Sequence, residues 1–293
     1  MRGIFLAALL VFFAALTQAG YEDAASMGRG LMDKAEYGQA AGYLLQAEKT
    51  APESKLMAIY IDLGICYRKL NEFDMAIEYY KKALVLSPKM ADIYYNIGLA
   101  YYYKGDLKQS ITWYKQAIKT SPNYTEAYGA QAMSYRDLGF TDMAISVIQE
   151  GLKQNPDYPG GYCILANCYS DKGWQKKAVE MYKRAIILRP DYTSAFYNLG
   201  VVYDDLKEYS NAVDAYRQAL KLNNADADTH YNLGISLMNQ GDFGGAQDSF
   251  KAAIKLNDNY KSSYNHLITS LRQTGMSREA KKWEDIRDSK FGK

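Results

Sequence analysis

The chain has 293 residues, with 35 Lys and Arg against 33 Asp and Glu, for a formal net charge of +2. That balance excludes a bulk electrostatic field for nucleic acid or for a membrane surface. Cys66, Cys163 and Cys168 are an odd number of thiols and exclude a closed disulfide framework.

In chain order, the first object is a leader, residues 1–19. Arg2 supplies a positive start, and Ile4–Leu16 is an unbroken apolar run of thirteen residues. Thr17-Gln18-Ala19 then places small residues where a signal peptidase cuts after Ala19. The run is short for a membrane span, which needs about 20 apolar residues. The reading is a secretory signal and an exported chain, periplasmic, with secretion or an N-terminal anchor as the alternatives. No membrane insertion is expected once the signal is cleaved.

A period of 34 residues then takes over. The first repeat is Tyr21–Ser54, followed by a two-residue insertion, Lys55-Leu56. Residues 57–260 hold six gapless repeats: Met57–Met90, Ala91–Tyr124, Thr125–Tyr158, Pro159–Tyr192, Thr193–Asp226 and Ala227–Tyr260. Residues 261–293 form a degenerate eighth repeat. Its second helix, from about Ser277, has the one-sided polarity of a solenoid cap.

Each repeat spells two helices. In the leading helix, positions 4, 7, 8 and 11 share one face at about 100° per residue; in the sixth repeat these are Phe196, Leu199, Gly200 and Tyr203. Position 8 is small (Gly64, Gly98, Ala132, Ala166, Gly200, Gly234), so a second helix can come close. Position 15 is Gly105, Gly139, Gly173, Gly241 or Gly275, with Asn71 as substitute, suited to the left-handed conformation that ends a helix. The second helix repeats small, aromatic, small at positions 20, 24 and 27, as in Ala212, Tyr216 and Ala219. Pro52, Pro88, Pro122, Pro156 and Pro190 close the pair at position 32.

The series Tyr162, Leu165-Ala166, Tyr169, Ala178, Tyr182 and Pro190 resembles the tetratricopeptide repeat. The resemblance covers Tyr21 to about Lys293. It implies an all-α fold, a right-handed α-solenoid (superhelix) of helix–turn–helix units, continuous along the chain. It also implies a concave groove lined by the leading helices.

The residues hold no catalytic constellation, no phosphate-cradling loop and no clustered metal ligands; His230 and His266 stand without Cys or His company. The expectation is a non-enzymatic chain that takes no cofactor and no metal and binds no nucleic acid. Positions 2, 5, 6, 9, 12 and 13 lie opposite the packing face, and the resemblance puts them in the groove. Candidate groove residues are Tyr95, Asn96, Tyr102, Asn167, Tyr197, Asn198, Asp204, Tyr231 and Asn232. An asparagine amide both donates to and accepts from a peptide backbone, and tyrosines add flat apolar contact with a polar tip. Asn198, Asn232 and Asn167 resemble the asparagine ladder by which some arrays of this family hold an extended peptide.

The family's carboxylate clamp is missing, because Cys163, Asp228 and Asn232 stand where it needs cations. Asp92, Glu126, Asp171, Asp204, Asp205 and Asp228 share the groove face with Arg68, Lys69, Arg136 and Arg272. A neutral to basic extended protein segment is the ligand this predicts, held by an exported interaction scaffold. The alternative roles are a substrate-presenting or assembly subunit of an envelope enzyme complex, or a self-assembling structural protein.

Overall fold

The computed structural model describes residues 20–292; the signal-like leader lies outside the described residues. The fold is all-α, and the helices pair as consecutive antiparallel hairpins. They are α1 (20–33), α2 (Tyr37–Thr50), α3 (Glu53–Lys69), α4 (Phe73–Leu86), α5 (Ala91–Lys104), α6 (Leu107–Thr120), α7 (Thr125–Asp137) and α8 (Thr141–Gln154). Then follow α9 (Pro159–Asp171), α10 (Gln175–Leu188), α11 (Thr193–Asp205), α12 (Tyr209–Leu222), α13 (Ala227–Gln240), α14 (Phe243–Leu256), α15 (Lys261–Gln273) and α16 (Ser277–Phe291). The chain divides into two compact bodies, one ending at Asn155 and one beginning at Pro156.

The hairpin is built on a close approach inside each repeat. A Cβ on Gly64 would lie 2.4 Å from the Tyr80 ring, and one on Gly98 2.6 Å from Tyr114. In the C-terminal body, Gly200 stands the same way to Tyr216 and Gly234 to Phe250, both at 2.6 Å. Position 8 is therefore the floor on which the position-24 ring lies. Tyr80, Tyr114 and Phe250 are completely buried, and burying a ring such as Phe250 is worth roughly 1.5–3 kcal/mol. The fourth repeat solves the same problem in reverse. Its second helix carries Gly151, and a Cβ there would meet Tyr128 Cβ at 2.6 Å.

The turn between the helices is uniform. The backbone N–H of position 16 donates to the carbonyl of position 11 in every hairpin, for example Asp106 to Tyr101 and Glu208 to Tyr203, both at 2.9 Å. This six-to-one bond needs a left-handed residue at position 15. Gly105, Gly139, Gly173, Gly241 and Gly275 supply it, and so does Asn71. Lys207 and Ala35 also adopt it, each with φ of 60°, although neither is a glycine. The leading-helix insertion has a simple outcome: with Lys55-Leu56 in place, α3 starts directly after Pro52 and runs 17 residues where α5 runs 14.

Of the expected leading-helix face, positions 7 and 8 are buried, as at Leu63, Ile97, Leu199, Ala132 and Ala166, and burial extends beyond it. Positions 3 and 10 are the tightest: Ile59, Ile93, Ala127 and Ala195 on one, Cys66, Ala100, Ser134 and Ser236 on the other. Most position-4 and position-11 tyrosines are only half-buried. The reason is that within each body a leading helix such as α3, α5, α7, α11, α13 or α15 packs on two neighbours, its own partner and the second helix of the preceding hairpin. Position 10 faces that preceding helix, as the bond from Ser110 Oγ to Ser134 Oγ at 2.9 Å shows. The position-4 hydroxyl turns to the loop instead. Tyr94 and Tyr128 donate to the carbonyls of Pro88 and Pro122 at 3.0 and 3.1 Å.

The second-helix face agrees with expectation: Ala76, Ala83, Ala178, Ala185 and Ala212 are fully buried. Pro159 opens α9 at its first turn, where a missing N–H costs nothing. In α16, Ala280 is buried and Trp283 half-buried, but Ile286, expected on the packed side, is exposed, while Glu284, Arg287 and Asp288 are half-buried.

Candidate functional site

The candidate residues lie along the leading helices, and Tyr95, Asn167 and Asp204 among them meet the second helix of their own hairpin. In the N-terminal body, Tyr95 is half-buried because its ring tilts against Tyr114 (5.7 Å between centroids) and Tyr124 (5.2 Å). Burial raises its hydroxyl pKa, and the Glu126 charge adds to the rise. Tyr102 reaches the next leading helix and donates to Asp137 Oδ2 at 2.6 Å. Its pKa is pushed up to about 12, first by burial and then by that carboxylate. Asn96 is half-buried and makes no hydrogen bond among the described residues.

In the C-terminal body the face runs over α9, α11, α13 and α15. Asn167 is occupied inside its own hairpin, accepting from the Tyr182 hydroxyl. Asp204 is likewise a structural acceptor. Tyr216 donates to it at 2.9 Å and Ser236 Oγ, from the next leading helix, at 2.7 Å. Burial nevertheless raises the Asp204 pKa, and those two hydroxyls offset only part of the rise.

The remaining candidates form a short ladder between neighbouring helices. Asn232 Nδ2 donates to the Tyr197 hydroxyl at 2.9 Å. One repeat on, the Tyr231 hydroxyl stands 3.4 Å from His266 Nδ1, the same position-5 to position-6 relation. Tyr231 also packs on Tyr260, with centroids 4.8 Å apart, and on Phe250. Asn198, next to Tyr197, keeps a half-buried amide with no hydrogen bond among the described residues.

A cleft of about 540 Å³ adjoins this ladder, lined by Arg189, Tyr192, Ser194, Tyr197, Asp226 and Thr229 among others. Sequence reasoning missed Arg189, which lies over the Tyr192 ring at 4.7 Å. It also missed Ser236 and Tyr260 as partners of the site; the recurrence of tyrosine at position 34 was the available signal for Tyr260. Among the described residues no cluster of His, Cys, Asp or Glu could hold a metal ion. No described helix is long and apolar enough to cross a membrane.

Paired helices stacked by a 34-residue period, with a polar and aromatic face left over, define a helical-repeat solenoid of the interaction-scaffold kind. The chain belongs to the tetratricopeptide-repeat family. Family repeats match residues 64–105, 166–207 and 203–241, and further single repeats match 91–124 and 227–260, together more than half of the sequence. Proteins of this family bind proteins or peptides and are generally non-enzymatic. No curated protein sequence matches the chain.

Among solved structures, the MamA protein is 27% identical with a TM-score of 0.51, covering 57% of this chain and 92% of that one. A tetratricopeptide repeat protein from Parabacteroides merdae has a TM-score of 0.64 at 18% identity, covering 86% and 99%. YrrB, described as a TPR protein with an unusual peptide-binding site, has a TM-score of 0.52 at 17% identity, covering 64% and 96%. The last two likenesses are of fold alone.

Proposed function

We propose that this chain is an exported, non-enzymatic scaffold that holds an extended, neutral to basic protein segment against the leading-helix face of its C-terminal body. The observation that carries the reading is the Asn198 amide, half-buried, unpaired among the described residues, and set beside an asparagine–tyrosine pair that fixes its surroundings. An amide in that state offers a donor and an acceptor to a passing peptide backbone.

Charge sets the preference for the segment. Neither α9, α11 nor α13 contains a lysine or arginine, whereas they carry Asp171, Asp204, Asp205 and Asp228. A basic segment meets complementary potential there, and an acidic one meets repulsion. YrrB, with its peptide-binding site, supports the general mode by analogy of fold. Reading the end hairpins, outside the matched residues, as units of the same repeat is part of this proposal, and packing in the first of them supports it. A Cβ on Gly28 would meet Leu44 at 2.8 Å, the position-8 to position-24 relation again.

Random-peptide display against the wild-type chain and Asn198→Ala tests the binding face. Lysine- and arginine-bearing peptides should be recovered by the wild type, with affinity about 3- to 10-fold weaker for the variant, the value of one or two hydrogen bonds. Equal recovery by both chains would sink the assignment. Export rests on residues 1–19, and N-terminal sequencing of the chain from an envelope fraction should find Gly20 first.

A further inference from the structure

The small net charge of the chain hides one concentration of cations. Between Lys172 and Arg189 stand Lys176, Lys177, Lys183 and Arg184 as well, against a single acid, Glu180. In α10, Lys176, Lys177, Glu180, Lys183, Arg184 and Ile187 share about 120° of arc at about 100° per residue, opposite the buried Ala178, Tyr182 and Ala185. All six are exposed. The next second helices of the same body keep the acid and the cation at positions 22 and 25: Asp214 and Arg217 in α12, Asp248 and Lys251 in α14. What α10 adds is cations at positions 18, 19 and 26. There α12 has Ser210, Asn211 and Gln218, and α14 has Gly244, Gly245 and Ala252. At position 29 the exchange runs the other way. Lys221 and Lys255 give way to Ile187, which is 69% exposed.

These charges are not neutralised inside the fold. Among the described residues, Lys176, Lys183 and Arg184 form no ion pair. Lys177 lies over the Trp174 ring at 4.5 Å, Lys183 over Tyr203 at 5.8 Å and Arg184 over Tyr162 at 5.9 Å. Those rings steady the side chains but supply no counter-charge. Beside them opens a cleft of about 490 Å³, lined by the apolar Tyr162, Met181 and Ile187 together with Glu180, Lys183 and Arg184. Apolar side chains set among unpaired cations match an amphiphile that carries negative charge. A nucleic acid or a purely acidic peptide would use the cations and leave Ile187 and Met181 without a counterpart. Trp174, exposed at the start of α10, adds an indole of the kind that settles at headgroup level.

We propose that the outer face of α10 docks on an anionic phospholipid surface, with Lys176, Lys177, Lys183 and Arg184 meeting headgroup phosphates and Ile187 and Trp174 entering the interface. The contact is peripheral, and no helix crosses the bilayer. Long basic side chains reach the phosphates while their stems lie along the apolar boundary. The face belongs to a second helix, so docking leaves the leading-helix face of the same body open to a protein segment. The two sites are independent, and lipid vesicles test this one without any protein partner.

The test uses the chain from Gly20 onward, which holds every described helix, so that the apolar leader cannot itself take up lipid. Flotation with vesicles of equal parts phosphatidylglycerol and phosphatidylcholine should carry the chain upward. Vesicles of phosphatidylcholine alone should not, and raised salt should release it. Lys183→Glu combined with Arg184→Glu should weaken binding at least about 10-fold. The same change in net charge on α16, Arg278→Glu with Lys282→Glu, should weaken it less than about 2-fold, because charges beyond the screening length do not contribute. Ile187→Asn should weaken it about 3- to 10-fold while keeping the salt dependence. All the substituted side chains are exposed, so the fold loses no packing. The proposal is overturned if the phosphatidylglycerol vesicles do not bind, if phosphatidylcholine binds equally, if the α10 and α16 reversals cost the same, or if Ile187→Asn binds as the wild type does. Duplex DNA or polyglutamate that binds more tightly than the vesicles would also overturn it, by marking the face as a site for another class of polyanion.

Discussion

Tyr216 donates its hydroxyl hydrogen to Asp204 Oδ2 at 2.9 Å, tying the second helix of a hairpin to the outer face of its own leading helix. Ser236 binds the same carboxylate from the following helix, so Asp204 links three helices. Its pKa is raised, chiefly by burial. Between the ordinary Asp value of about 3.9 and the raised folded value, the folded chain holds more protons than the unfolded one. Stability from this group therefore falls as pH rises through that window and is level above it. Asp204→Asn removes the slope. Urea unfolding across the acid range should show the variant gaining on the wild type as pH rises, and parallel curves would contradict the burial argument.

Gly200 tests the close approach. A Cβ there would lie 2.6 Å from the Tyr216 ring, while alanine gains up to about 1 kcal/mol of helix propensity over glycine. In the preceding repeat Ala166 occupies the same position opposite Tyr182, so the ring can shift. Gly200→Ala should stay within about 1 kcal/mol of wild type, whereas Gly200→Leu overpacks the hairpin and should cost about 1–3 kcal/mol or more. Denaturant midpoints for the pair decide it.

Lys207 and Ala35 sit at φ of 60° in turns where five other repeats use glycine. The left-handed region costs a residue with a Cβ about 1–2 kcal/mol, and glycine returns part of that gain through its freer unfolded chain. Lys207→Gly and Ala35→Gly should each stabilise the fold by about 0.5–1 kcal/mol. A lowered melting temperature in either variant would show that the side chain contributes something beyond the turn.

The thiols are structural. Burial pushes Cys66 and Cys163 up to about 11, so the reactive thiolate is nearly absent near neutrality. At pH 8, labelling of both in the folded chain should be slower than in urea by about two orders of magnitude from the thiolate fraction alone. Fast labelling of either would mark it as accessible and activated.

Much of the candidate site was legible only as a set of positions. Tyr95, Asn96, Tyr197, Asn198, Tyr231 and Asn232 were found because a period of 3.6 residues separates one helix face from another, and that separation needs only sequence. Their roles then diverged. Asn198 is left open, Asn232 is held by Tyr197, and Asp204 and Asn167 are spent on tyrosines of their own hairpins. Asp204 and Tyr216 are twelve residues apart on different helices, and no local rule says that their side chains meet.

By itself, the sequence determined the hairpin: its length, its small residue at position 8 under an aromatic at 24, and its left-handed turn at 15. These are short-range demands, sterics and backbone conformation acting within one repeat. Only the tertiary structure decided which face is most deeply buried, since position 10 meets the neighbouring hairpin, as Ser134 meets Ser110 and Ser270 meets the Phe243 carbonyl. It also decided which polar groups are left over. A hydroxyl or amide finds its partner through the three-dimensional reach of side chains from two or three helices. That reach separates the Tyr216 hydroxyl, which meets Asp204, from the buried Tyr114 hydroxyl, which meets no acceptor among the described residues.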